Sequence, residues 1–307
     1  MRHLDFRNMT TSLRNDLTGE IGTMKLPYDP LPGNHHLYKL SDFHEGNGAQ
    51  SAHTIRKAVE AIRSKKNARV ILQGDQFEAV TVTDKRYDIG VHGNRLARIQ
   101  AQRDSLMEKL DPIADKILWI LDGNHEKTIR NIYQPNADLA KSWNTIYANG
   151  TLVIALFDDY RLASWHGAGQ INSRAGDSLQ RDTNSLIQLK RNMRGLPVDD
   201  CDVVSCGHYH RCLCHPPTSK LLLVSDGLKL EHVYSQPGRV VVDEKKGYYR
   251  IHEDDKYWMC CGSFLKAYEE DMPSYTEDHG YQATELGYGH IEVRNGKPSV
   301  VEVVKIA

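Results

Sequence analysis

The chain has 307 residues, with 39 Lys and Arg against 40 Asp and Glu, for a formal net charge of −1. Apolar residues make up 40% and charged residues 26%, which excludes bulk disorder and allows one large domain or two smaller ones with a substantial core. The near-zero charge excludes a strongly basic nucleic-acid binder and leaves only a local basic groove open.

Residues 1–35 are polar and broken by Gly19, Gly22, Pro27, Pro30, Pro32 and Gly33, and read as an N-terminal extension to a domain over 36–307. Leu37–Leu40 then reads as a strand ending at Ser41-Asp42. Helical spacing of Ile55, Val59 and Ile62 predicts a helix over 51–66. Arg69–Leu72 is a strand running into Gly74-Asp75, and 94–110 a second helix. Lys116–Leu121 is a strand running into Gly123-Asn124, with a helix expected over 136–147. Thr151–Phe157 and Arg161–Trp165 read as strands about an Asp158-Asp159 turn. A polar helix near 177–193 precedes strands at Asp202–Ser205 and Leu221–Val224. The chain closes with two strands about an Asn295-Gly296 hairpin turn. Early strand–helix alternation argues for α/β layering, and the strand-rich later half argues for a second sheet.

No apolar run approaches the ~18–20 residues of a membrane helix, and the N-terminus shows no apolar leader. The six cysteines, at 201, 206, 212, 214, 260 and 261, form no readable disulfide framework, so free thiols and a cytoplasmic location are expected. The 15 histidines are the unusual feature, because imidazole is the commonest side-chain metal ligand and an acid–base group near neutral pH.

Five of them fall in short segments that each follow an apolar strand: Asp42-Phe-His44, Gly74-Asp75-Gln-Phe-Glu78, Gly123-Asn-His-Glu126, Trp165-His166-Gly167 and Gly207-His208-Tyr-His210. In open α/β sheets, ligand-binding residues gather at the carboxyl ends of strands. There Asp42, His44, Asp75, Asn124, His166, His208 and His210 would converge. That is more than one ion needs and suits two. Two ions together clamp a phosphoryl group and activate water. Each segment alone is commonplace, since Gly-Asn-His is usually a turn and His-x-His usually surface. The order of all five, each after a strand, is what carries information.

These segments resemble the calcineurin-like metallophosphoesterase superfamily, whose pattern is D-x-H, G-D-x-x-D, G-N-H-[DE], a lone H and G-H-x-H. The match runs over about 36–265. The resemblance implies a four-layer αββα sandwich of two mixed sheets with a dinuclear site at the strand ends. It implies that Asp42, His44 and His210 hold one metal, that Asn124, His166 and His208 hold the other, and that Asp75 bridges them. His125 would meet the scissile phosphate and protonate the leaving oxygen, with Glu126 orienting or tuning it. Glu78 departs from the pattern, which has Asp there. The donor set points to two divalent ions, Mn2+ first, with Fe or Zn also permitted.

The implied activity is hydrolysis of phosphate esters by metal-activated water, with a phosphodiesterase or nuclease acting on DNA or RNA as the leading reading. That preference follows from Thr81–Tyr87, Gly262–Tyr268 and Gly280-Tyr281, which look most like the phage and prophage members. The alternatives are a phosphomonoesterase or small cyclic- or dinucleotide hydrolase, and a non-catalytic scaffold of the same fold. Lys85 and Arg86 are the candidates for substrate phosphates, against a solvated loop. Cys206, Cys212, Cys214 and His215 could form a separate zinc site, though packed thiols fit their spacing better. Basic residues at 56, 57, 63, 65 and 66 and at 181, 190, 191 and 194 could together form a nucleic-acid face, against two solvated helix faces.

Overall fold

The computed structural model describes residues 22–25, 34–82, 84, 85, 87, 89, 98–150, 152–157, 160–225, 227–235, 238–270 and 283–306. In chain order the elements are β1 (Gly22–Lys25), β2 (Asn34–Leu40), α1 (Ala52–Ser64), β3 (Ala68–Gln73), α2 (Ile99–Leu110), β4 (Ile117–Leu121), α3 (Asn124–Ile129), α4 (Pro135–Ser142) and β5 (Ile146–Tyr147). They continue with β6 (Leu152–Leu156), β7 (Arg161–Trp165), α5 (Ser178–Met193), β8 (Val203–Cys206), β9 (Cys212–His215), β10 (Leu221–Ser225) and β11 (Leu230–Tyr234). The last are β12 (Arg239–Asp243), β13 (Tyr248–Ile251), β14 (Tyr257–Cys261), β15 (Gly287–Arg294) and β16 (Lys297–Lys305).

Two six-stranded mixed sheets form the body, in the orders β1-β6-β7-β8-β14-β9 and β16-β15-β2-β3-β4-β5. Their central strands are apolar because both faces are covered. In β3, Val70 and Leu72 face the helices while Ile71 faces the other sheet. In β8, Val203 faces between the sheets while Val204 and Cys206 face outward. The inter-sheet core gathers Leu37, Ile71, Trp119, Leu162, Val203 and Met259. Helix α1 is capped by Ser51, whose hydroxyl accepts from the Thr54 amide at 3.2 Å, and it buries Ile55, Ala58, Val59 and Ile62 on one sheet. Helix α5, capped by Asp177, buries Leu189 and Met193 on the other. The layering is helix, sheet, sheet, helix, as the resemblance implied.

Two expectations are corrected. The helix expected over 136–147 ends at Ser142. Asn144 then takes a left-handed conformation (φ 51°), and Ile146–Tyr147 joins β4 as a parallel edge strand. The two basic helices lie on opposite outer layers, one against each sheet, so their charges form no common face. Lys190 of α5 and Arg194 just after it are moreover paired with Asp254 and Glu253. Within the stretch read as an extension, Gly22–Lys25 pairs in parallel with β6. The Asp158-Asp159 turn, Gly280-Tyr281 and the start of the second helix lie outside the described residues.

Alternation along β2 places Lys39 on the same side as Leu37, between the sheets. It is wholly buried and donates to the hydroxyls of Ser164, at 2.6 Å, and Ser205. Burial pushes its ammonium pKa down to about 7. The unfolded chain therefore binds this proton more tightly than the folded one. Stability is expected to rise with pH between about 7 and 10.5, by at most ~1.4 kcal/mol per pH unit. Lys39→Met is expected to lose that rise. Urea unfolding of both proteins across this pH range checks it, and parallel curves for the two would count against it.

Candidate metal centre

Strands β2, β3 and β4 run parallel to one another, as do β7, β8 and β14, so their carboxyl ends share one pole of the sandwich. All five sequence segments emerge there. Asp42, His44, Asp75, His208 and His210 each adopt φ between 48° and 69°, a region that non-glycine residues rarely occupy and that costs ~1–3 kcal/mol each. The turned loops are fastened to one another. The Asp42 amide donates to the Gly74 carbonyl at 3.0 Å and the His44 amide to the Asp75 carbonyl at 3.1 Å. The His208 amide donates to both Asp42 oxygens at 3.0 and 2.8 Å.

The side chains form three overlapping donor groups: Asp42, His44 and His210; His44, Asp75 and His125; and Asp75, His166 and His208. The Nε2 atoms of His44 and His210 are 3.1 Å apart, and His210 Nε2 is 3.3 Å from Asp42 Oδ1. Asp75 Oδ2 lies 3.2 Å from His166 Nε2 and 4.0 Å from His44 Nε2. It thus sits between the first and third groups. Asn124 Oδ1 completes the third, 3.1 Å from His166 Nε2.

The tautomers are set from outside the cluster. His44 Nδ1 faces the Glu78 carboxylate at 2.9 Å, and His166 Nδ1 faces the Gln73 carbonyl at 3.0 Å. Each of these nitrogens therefore carries the hydrogen, and each Nε2 turns a lone pair toward Asp75. Lone pairs and carboxylate oxygens facing one another at such distances demand a cation or a proton between them. The titration behaviour expresses the same demand. Burial opposes charge on both Asp75 and His166. Even so, His166, His125 and His44 hold Asp75 well below the usual carboxylate range, and Asp75 and Asp42 carry His166 up to about 10. Asp42 is likewise pushed up by burial but held below its ordinary value by His210 and His166. Carboxylate and imidazole without thiolate suits borderline divalent ions, so the residues present fit two such ions.

His125 lies edge-on to His44, with ring centroids 4.7 Å apart. Its Nδ1 donates to the Glu78 carbonyl at 2.6 Å, which leaves Nε2 for a substrate. The orienting contact expected from Glu126 is thus made by the Glu78 main chain. Glu126 is buried and accepts from the amides of Asp75 at 3.1 Å, Phe77 at 2.9 Å and Gly123 at 2.7 Å, so it ties the β3 loop to the β4 loop. Burial and the charges of Asp75 and Asp122 push its carboxyl up to about 8, and its influence on His125 is through-space. The Glu78–His44 pairing was missed in the sequence. The Glu in place of Asp was its one signal.

Lys85 is exposed on the loop after this segment, and Arg86 lies outside the described residues. No cysteine joins a metal-capable group among the described residues. All six are free thiols and five are buried, so no separate zinc site forms. No helix among the described residues is long and apolar enough to cross a membrane.

No protein-family model and no curated protein matches the chain. Among solved structures it is similar to an archaeal phosphodiesterase, at 13% identity and TM-score 0.38, over 88% of this chain and 99% of that one. It is similar to a metallophosphoesterase from Sphaerobacter thermophilus, at 12% identity and TM-score 0.38, over 89% of this chain and 88% of that one. It is also similar to the NAD nucleotidase of Haemophilus influenzae, at 12% identity and TM-score 0.37, over 89% of this chain and 50% of that one. At such distance, function has to be read from the cluster's own geometry.

A Cβ on Gly123 would stand 1.9 Å from Asp75 Oδ1 and 2.3 Å from the Asp75 amide. Gly123→Ala must therefore displace the carboxylate between the donor groups. It is expected to lower Mn2+ affinity by about 10–100-fold while leaving the far-ultraviolet spectrum unchanged. Calorimetric titration with Mn2+ measures this, and undiminished affinity would show that Asp75 is not a ligand.

Proposed function

We propose that the chain is a divalent-metal-dependent phosphoesterase that holds two ions and hydrolyses phosphodiesters, with DNA or RNA as substrate. The observation that carries this reading is the joining of two donor groups, Asp42/His44/His210 and Asp75/His166/His208, through Asp75. Two ions bound there would supply Lewis-acid stabilisation of the phosphoryl oxygens and lower the pKa of a water molecule.

The protein's own groups do the rest. Asp75 lies between the two groups, and uncharged Asn124 adds a ligand without further anionic charge against an approaching phosphate. His125 presents Nε2 beside the cluster. Burial lowers its pKa, but Asp75 and Glu78 outweigh burial and raise it, and a protonated ring would serve as donor to the departing oxygen. The Glu78 carbonyl fixes the ring's orientation. Asn124, Ala168 and Gly169 are exposed at the rim, so the cluster opens directly to solvent. An open mouth suits a polymer passing across it better than a small molecule that must be enclosed. Lys85 and Arg86 would contact flanking phosphates. The phage-type resemblance of Thr81–Tyr87 favours the same substrate.

Bis-p-nitrophenyl phosphate and the corresponding monoester, each with Mn2+, separate the diester reading from its alternative. Hydrolysis of the diester and cleavage of a nucleic acid are expected, and activity on the monoester alone would overturn the nuclease reading. His125→Ala is expected to lower kcat by ~10²–10⁴-fold with bound metal unchanged, whereas Asp75→Asn is expected to lose both turnover and metal. Equal activity of the His125 variant and wild type would remove His125 from the mechanism.

A further inference from the structure

Beyond β9 the chain leaves the body twice. Hairpins β10–β11 and β12–β13 each pair only within themselves among the described residues. Both are rooted at the pole opposite the metal cluster. Strand β9 runs away from the cluster, with Cys212 opposite Cys261 at the near end and His215 opposite Trp258 at the far end. There Thr218 donates its amide to the Asp254 carbonyl at 2.8 Å, at the base of the first hairpin. The second is fastened ahead of β8. Arg239 pairs with Asp202 at 3.0 Å, the Tyr249 ring lies between Arg161 and Arg239 at 4.7 and 4.5 Å, and the Ile251 amide donates to the Asp199 carbonyl at 2.8 Å.

These hairpins are apolar on both faces. Leu221 and Leu223 project from one side of β10, Leu222 and Val224 from the other, and all four are 44–64% exposed. In β12, Val240 and Val242 are each 66% exposed. A two-stranded hairpin is marginal in water without something packed on it. Twelve apolar side chains of the two hairpins are exposed over 42–94% of their surface. At ~100 Å² of side-chain surface apiece, they leave on the order of 700 Å² uncovered, close to the ~800 Å² each partner brings to a standard stable interface.

We propose that the two hairpins are arms through which two copies of this chain form a dimer. A flat apolar surface covers only one face of such an arm. A second copy brings two identical two-sided arms, so each can be covered on both faces by its counterparts. The outer edges of β10 and β11 are unpaired among the described residues, and a two-fold axis sets such an edge antiparallel against itself. Because the arms spring from the far pole, the dimer leaves both metal clusters open.

Sedimentation velocity of the full chain at micromolar concentration tests this. A mass of twice the 34.9 kDa chain is expected. The double variant Leu222→Asp/Val224→Asp is expected to sediment as a monomer with Mn2+ binding unchanged. A second variant deletes 221–234 and joins Lys220 to Ser235 through two glycines, which the 2.8 Å bond from the Ser235 amide to the Lys220 carbonyl shows to be neighbours. It too is expected to be monomeric. A monomeric wild type overturns the proposal, including one that binds lipid vesicles through these arms. So does a dimer that persists in both variants.

Discussion

The Asp75 carboxylate is the point on which the organisation of the metal pole depends. Its Oδ1 accepts the His125 amide at 2.9 Å, while Oδ2 faces His166 and His44. Its own amide is held by Glu126, which also holds Gly123, the residue against which the carboxylate packs. One side chain thus meets loops from β2, β3, β4 and β7, drawn from both sheets. A buried carboxylate among four imidazoles is stable only if positive charge accompanies it. That requirement agrees with the tautomers that Glu78 and the Gln73 carbonyl set and marks the cluster as a candidate cation site.

Holding five donor residues in left-handed backbone works against folding, and the compensation comes from elsewhere in the sandwich. Each strand that feeds the pole is covered on both faces by apolar cores. The loops themselves are fastened to one another by amide-to-carbonyl bonds, such as Asp42 to Gly74 and His44 to Asp75. Strain of this kind persists where the surroundings over-determine the conformation. It aims the side chains of alternate residues, as in Asp42-x-His44 and His208-x-His210, into one space.

The strand-then-ligand segments were legible because both signals are local. A short apolar run marks a strand buried on both faces, and the glycine and donor residues follow it directly. Strand–helix alternation argued for α/β layering and a second sheet, and the four-layer order was what the resemblance implied. What was not legible depends on pairing between distant residues. The order of the sheets, the insertion of β14 between β8 and β9, and the addition of Ile146–Tyr147 to β4 leave no periodicity of their own. The hairpin arms were half-visible, with Leu221–Val224 read as a strand. Their exposure was hidden because a run of Leu and Val looks the same whether it lines a core or awaits a partner. Lys39 shows the converse: a charged residue gives no sign of burial in the sequence, yet alternation sends it between the sheets.

Lys39 also explains how two apolar sheets hold one relative position. Apolar packing resists separation more than it resists a small slide, because it is non-directional. Under the metal pole the interface is instead polar and directional. Lys39 of β2 reaches Ser164 of β7 and Ser205 of β8. The Gln73 side-chain Nε2 at the end of β3 donates to the carbonyls of Trp165 at 2.6 Å and Ser205 at 2.8 Å. Trp165 directly precedes His166, and Gln73 directly precedes Gly74-Asp75. These bonds therefore set the distance between donors carried by different sheets. Replacing Lys39, Ser164 and Ser205 with apolar residues is expected to stabilise the fold, since burying an ammonium is costly. It would also release the constraint that keeps Asp75 and His166 3.2 Å apart. The unfavourable Lys39 is understandable as the stability given up for that alignment.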